Sequence, residues 1–394
     1  MESLLQSAVR ATVGIAVLRF LPFVGYALAS RRLGLRFKTA SLAAYTVTVA
    51  LFFQLDHKPW LLVVLMVTGY AYFLVLAVAT CGIARIPVAA RSPSWLLFGL
   101  FFFLHVTVPC ALVRSPHSLV LQVVGWEMTF SAFSLVEEAR RRGVAPSLGD
   151  AVLFLVVNPA IVYARRGELT AVPAEGRAGG SRIALGLGAL FLSSLLKELS
   201  HNGRAASIMP GGDLHAAGGY AGLLAEAALI ILATYTVLSG LASVQIGWMR
   251  CLGWRIPERY RHPYLAVSFA DFWRRWNTYH REWLERYVFY PIALGPLRKM
   301  GVGPAKVLGL VAVFAFIGAA HDMISVTPPW RTPAPTATTF FLLNSLAMIG
   351  ELAVVRGVRA VVKGPMPRTL AVAGRVLFVH SWCAIVWTTL VLTR

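Results

Sequence analysis

The chain is 394 residues long, 57% hydrophobic and only 14% charged, which is more apolar surface than a soluble core can hide. Its formal charge of +20 is spread over short loops between apolar runs, a pattern that suits membrane topology and anionic headgroups and argues against nucleic acid as a partner. Cys81, Cys110, Cys251 and Cys383 lie in or beside apolar runs without CxxC spacing, so neither a disulfide framework nor a metal site is expected.

The expected class is an all-α polytopic membrane protein forming one domain over residues 1–394. Met1–Glu2–Ser3 carries no basic n-region, so no cleavable signal is expected. Apolar runs near the ~20 residues a bilayer requires are Val9–Ser30, Thr39–Leu55, Trp60–Ala84, Trp95–Val113 and Ser118–Val136. Basic residues follow the first, third and fifth runs (Arg31, Arg32, Arg36 and Lys38, then Arg85 and Arg91, then Arg140–Arg142), which places those loops in the cytoplasm. Ala151–Tyr163 is too short to cross comfortably and contains Asn158–Pro159, so it reads as a re-entrant segment followed by a soluble flap, Gly167–Gly180. Further spans are Ile183–Leu199, Tyr220–Gly240, Ala305–Ile324, Thr339–Val355 and Leu370–Leu392. In all, about ten to eleven transmembrane or re-entrant helices are expected around an intramembrane chamber.

Between the last two groups of spans lies SFADFWRRWNTYHREWLERYVFYP, Ser268–Pro291. On a helical wheel Asp271–Phe289 divides into a charged half and an aromatic half, which predicts an amphipathic interfacial helix with its rings at the acyl boundary. Asn277 and His280 are the polar side chains that intrude on the aromatic half. A buried amide without partners costs about 1–3 kcal/mol, so Asn277 should be satisfied by something specific.

Of nine histidines, His57, His117, His201, His215 and His262 fall in loops, and His105 and His380 read as packing or hydrogen-bonding residues within apolar runs. His321 stands in FAFIGAAHD inside an apolar helix, where an ionisable group is a functional candidate. Gly318, Ala319 and Ala320 leave room for another helix or a substrate to approach it closely. Asp322 would orient the imidazole or begin the loop. Glu127, Glu226 and Glu351 read as structural partners for arginines.

These residues resemble the membrane-bound O-acyltransferase family, in which an interfacial FWRRWH/N…WL…YVY.P stretch precedes a histidine in an apolar helix. Phe272–Asn277 match its first part, and Trp283, Leu284, Tyr287, Val288, Phe289 and Pro291 its tail. Ser239–Gly240, Ile256–Pro257–Glu258 and His262–Pro263–Tyr264 resemble its lead-in, and Asn158–Tyr163 its PTLVY segment. Alginate-acetylating and teichoic-acid-alanylating members carry histidine where this chain has Asn277. The surroundings of His321, with Ala319–Ala320 before it and Pro328 after, look more like the sterol and diacylglycerol enzymes.

The resemblance implies a catalytic core over 148–330, flanked by N-terminal spans 1–147 and C-terminal spans 331–394, in a multi-pass protein of the cell membrane, expected to be a bacterial inner membrane. It implies direct acyl transfer from a thioester, expected to be acyl-CoA as a co-substrate with no bound cofactor, to a hydroxyl acceptor. His321 would be the base and Asn277 the group that polarises the carbonyl or orients the acceptor. His280, Asp322, Trp273 and Trp276 are candidates for supporting them, and Arg274, Arg275 and Arg281 for the donor's phosphates or for membrane lipids. The acceptor class is a lipid, long-chain alcohol or small metabolite; the alternatives are an exported polysaccharide, a polytopic transporter with a proton relay, and a catalytically silent scaffold.

Overall fold

In the computed structural model the described residues are 21, 24–25, 28–29, 35–55, 71–72, 74–85, 94–108, 118–144, 146–152, 154–155, 176–203, 219–251, 256–325, 336–361, 379, 381–383 and 385–386. Most of the first expected span, Asn158–Pro159, His57, His117, His215, His380 and Pro328 lie outside them. Every regular element among the described residues is helical. Among the described residues, three helical stretches are long and apolar enough to cross a membrane: Gly179–Leu196, Ile231–Cys251 and Val302–Met323. The full set of ten to eleven is not delineated by them.

The chain packs as two compact units, one comprising Met1–Leu199 with Leu232–Glu258, the other Ser200–Ile231 with Arg259–Arg394. In the first, α1 (Leu35–Leu55), α2 (Ser94–Phe102) and α3 (Ser118–Arg142) fall on the apolar runs Thr39–Leu55, Trp95–Val113 and Ser118–Val136. After α2 the helix widens into a π-helical turn, Phe103–Thr107. His105 in that turn is fully buried, with its ring stacked 5.7 Å from Phe101. Neither of its ring nitrogens has a hydrogen-bond partner among the described residues, so packing is its role here. The approach of α3 to the His105 carbonyl requires Gly125, because a Cβ there would collide with that oxygen.

Helices α4 (Gly176–Gly203) and α5 (Gly219–Cys251) meet in the first unit through a glycine seam. A Cβ on Gly179 would lie 2.7 Å from the Gly247 carbonyl oxygen, and one on Gly186 2.8 Å from that of Gly240. Small residues are what allow such backbone approach where no hydrophobic effect drives helices together. The seam explains two departures from expectation. The end of the flap, Gly176–Gly180, is helical because Gly179 packs on Gly247 and Cys251. The span expected to end at Gly240 continues to Cys251, since Ile246, Trp248 and Met249 are buried, and Arg250 near its end pairs with Glu258 at 2.9 Å.

In the second unit, α9 (Val302–Ser325) and α10 (Thr336–Val361) form an antiparallel hairpin. Phe314 faces Phe341, and Gly318 lies so close to Thr338 that a Cβ would sit 2.6 Å from its Cα. Against this hairpin pack α6 (Phe269–Arg275), α7 (Thr278–Leu284), a π-helical turn Glu285–Phe289 and α8 (Tyr290–Leu294). The expected single amphipathic helix over Asp271–Phe289 is therefore broken. Trp276 turns extended, with ψ at 128°, and Asn277 is left-handed, with φ 37° and ψ 63°. Asn is one of the few residues besides Gly that visits this region readily. The rings face protein: Trp283, 2% exposed, stacks on Phe316, and Trp273 packs edge-on to Phe314.

Candidate active site

The site grows from the two helix ends that flank Asn277. Ser268 caps α6, its Oγ accepting the Asp271 N–H at 2.9 Å. Glu351 of α10 accepts the Phe269 N–H at 2.9 Å, so this glutamate holds a helix N-terminus instead of the expected arginine. Asp271 is a hub that the sequence reading missed. Its carboxylate accepts from Arg274 at 2.5 Å, Arg275 at 2.9 Å and the Val267 N–H at 3.3 Å. Burial works to raise its pKa, but the hydrogen bonds from Arg275 and Arg274 prevail and hold the carboxyl below its ordinary value. Arg274 and Arg275, expected to meet donor phosphates, are thus turned onto Asp271, and Arg281 onto Glu285 at 3.6 Å.

Asn277 ends one helix and caps the next. Its Oδ1 accepts the His280 N–H at 3.5 Å and, more closely, Arg259 Nε at 3.0 Å. The specific partner expected for this amide is Arg259, another residue the sequence reading passed over. Segment 259–261 runs beside the kink and ties both sides of it. The Thr278 N–H donates to the Arg259 carbonyl at 2.8 Å, and the Arg261 N–H to the Arg275 carbonyl at 3.0 Å. An arginine in a stretch without hydrophobic periodicity, just before the motif, was the available signal. His280 is buried beside Asn277, and Trp276 packs on Tyr260 and Phe272.

His321 sits near the end of α9. Its Nδ1 lies 2.7 Å from the Ile317 carbonyl oxygen, which can only accept, so Nδ1 carries the proton. In the neutral ring the lone pair is therefore on Nε2. Phe341 packs 5.0 Å from the imidazole and 5.6 Å from Trp273, linking His321 to the α6 motif. Gly318 admits α10, not a substrate. The two carboxylate oxygens of Asp322 accept the Ala337 and Thr338 N–H groups at 2.7 and 2.9 Å, closing the hairpin at the start of α10. No group of three or more metal-ligating side chains is present among the described residues.

A helical membrane protein with an imidazole of fixed tautomer, reached through aromatic rings from the kinked segment Phe269–Phe289, is the class that fold and site define. Residues 220–391 match the membrane-bound O-acyltransferase family. It is similar to the Arabidopsis thaliana protein described as "Probable long-chain-alcohol O-fatty-acyltransferase 3", 36% identical across 26% of this chain and 30% of that protein. A second Arabidopsis relative, number 9 of the same series, is 33% identical across 27% of this chain and 31% of its own length. "Probable alginate O-acetylase AlgI" of Pseudomonas putida is 35% identical across 28% of this chain and 26% of its own. The chain thus spans under a third of the length of these relatives.

Proposed function

We propose that the protein is a multi-pass membrane O-acyltransferase. It moves an acyl group from a thioester donor, acyl-CoA, to the hydroxyl of a lipid, long-chain alcohol or small metabolite at a bacterial inner membrane. The observation that carries this reading is the His321 tautomer, with Nδ1–H on Ile317 and the basic lone pair on Nε2. Nε2 accepts the acceptor's hydroxyl proton as the oxygen attacks the thioester carbonyl. The C–S bond then breaks, and the proton passes to the departing thiolate, leaving ester and free thiol. General-base catalysis of this kind contributes about 10²–10⁴-fold. The Asn277 amide donates to the developing oxyanion, worth on the order of 10²–10³-fold. The aromatic packing of Phe341, Phe314 and Trp273 beside His321 limits the water that could compete with the acceptor.

The test is a lipid and metabolite profile of cells expressing wild type, His321→Ala or Asn277→Ala at matched membrane levels. An ester that appears with wild type, vanishes with His321→Ala and is much reduced with Asn277→Ala is expected. Esters unchanged in both variants refute the two-residue mechanism. The similarity to the alginate enzymes supports a second acceptor class, an exported polysaccharide; acetyl groups on extracellular polymer in place of a lipid ester would select it.

A further inference from the structure

We propose that Arg259 is a positioning residue that sets which end of the Asn277 amide faces the reaction. The proposal rests on the role given above to Asn277. An amide side chain presents an acceptor at one end and a donor at the other, and a kinked backbone alone does not choose between them. Only a donor end can help a carbonyl that is gaining negative charge. Arg259 makes the choice, because guanidinium donates and never accepts. With Nε 3.0 Å from Oδ1, the oxygen is held towards the arginine, and Nδ2 is left as the group that donates.

Two further observations make the hold rigid. Arg259 is 7% exposed, and its guanidinium lies over the rings of Tyr260 and Tyr279 at 5.9 and 5.8 Å. Its own carbonyl accepts the Thr278 N–H, so main chain and side chain of the same residue hold the two adjacent residues that begin α7. The contact also changes the amide electronically. A charged donor and the His280 N–H on one carbonyl oxygen draw electron density from nitrogen to oxygen, and the N–H groups become stronger donors. Lysine is not an equivalent, since its point charge lacks the fixed fork.

The test uses the full-length protein in its membrane and the ester product found by the profiling above. Arg259→Gln is expected to lower kcat about 10- to 100-fold, the range of a charge-assisted hydrogen bond, with donor KM little changed. In an Asn277→Asp background, where the oxygen acceptor remains but the amide donor is gone, Arg259→Gln should cost little more. Equal loss in both backgrounds, or a raised KM at unchanged kcat, overturns the proposal. Arg259→Lys is the milder variant if the glutamine protein fails to accumulate, and its loss should likewise disappear in the Asn277→Asp background. A readout independent of turnover is a cryo-electron microscopy comparison of wild type and variant. A displaced or reversed Asn277 amide is expected, and an unmoved one refutes the proposal. Full activity of His321→Ala would instead defeat the acyl-transfer mechanism, and the amide comparison would still judge Arg259.

Discussion

Asn277 has two demands on it, one from the backbone and one from its side chain, and they can be separated. At φ 37° a glycine is comfortable, whereas alanine is strained by about 1–2 kcal/mol. Asn277→Gly should therefore keep the kink and the membrane level while losing the amide's share of the rate. Asn277→Ala should lose both, visible as a lower thermal midpoint in detergent. Equal midpoints for the two would show that the left-handed turn carries no strain. The same backbone demand bears on the histidine that resembling bacterial members carry at this position, since Asn, Asp and His are the residues most tolerant of positive φ. Asp271 gives a second measurement at this scale. Because its native pKa is lowered, the stability it contributes is present above its ordinary value of 3.8 and is lost as pH falls through the lowered native value. The thermal midpoint of Asp271→Asn should lie below wild type by a constant margin near neutrality. That margin should close at acid pH, and one that persists there would remove the ion-pair explanation.

At the scale of elements, glycines on one helix should behave oppositely according to their faces. Gly186 meets α5, where an added Cβ would come 2.8 Å from the Gly240 carbonyl; Gly188, two residues on, meets nothing within 4 Å. Alanine improves an open helical position by about 0.5–1 kcal/mol, so Gly188→Ala should raise the thermal midpoint and Gly186→Ala lower it. Shifts of the same sign would refute the seam. The helix pair itself was only partly legible in the sequence. Hydropathy located both spans, but their ends at Gly176 and Cys251 depend on which glycine meets which, and that is information from the partner helix. The break at Trp276–Asn277 was hidden for a related reason. A wheel drawn through Asp271–Phe289 looks coherent because both short helices bury their rings on the same hairpin. The one sign of trouble was an amide with no evident partner, and it pointed to the right residue. Its partner came from a segment without periodicity, as did the Asp271 cluster from residues whose arginines looked free for phosphates.

Across the whole molecule, hydropathy made the all-helical membrane class readable, and the motif singled out His321 and Asn277 as candidates. What stayed hidden was how polar groups are shared out, because Asp322, Glu351 and Arg259 all serve distant backbone or side-chain partners. The glycine seam between α4 and α5 has one more consequence. Glycines recur seven residues apart on each helix, Gly179 and Gly186 against Gly247 and Gly240, and each is a hole entered by a side chain of the other helix: Cys251, Val244, Ile183 and Leu190 in turn. Knobs and holes of this kind act as a ratchet against sliding along the axis. Two latches add to it: Ser193 Oγ donates to the Ala233 carbonyl at one end, and Glu258 gathers Arg182 and Arg250 at the other. A slip in register would therefore require the two helices to part first.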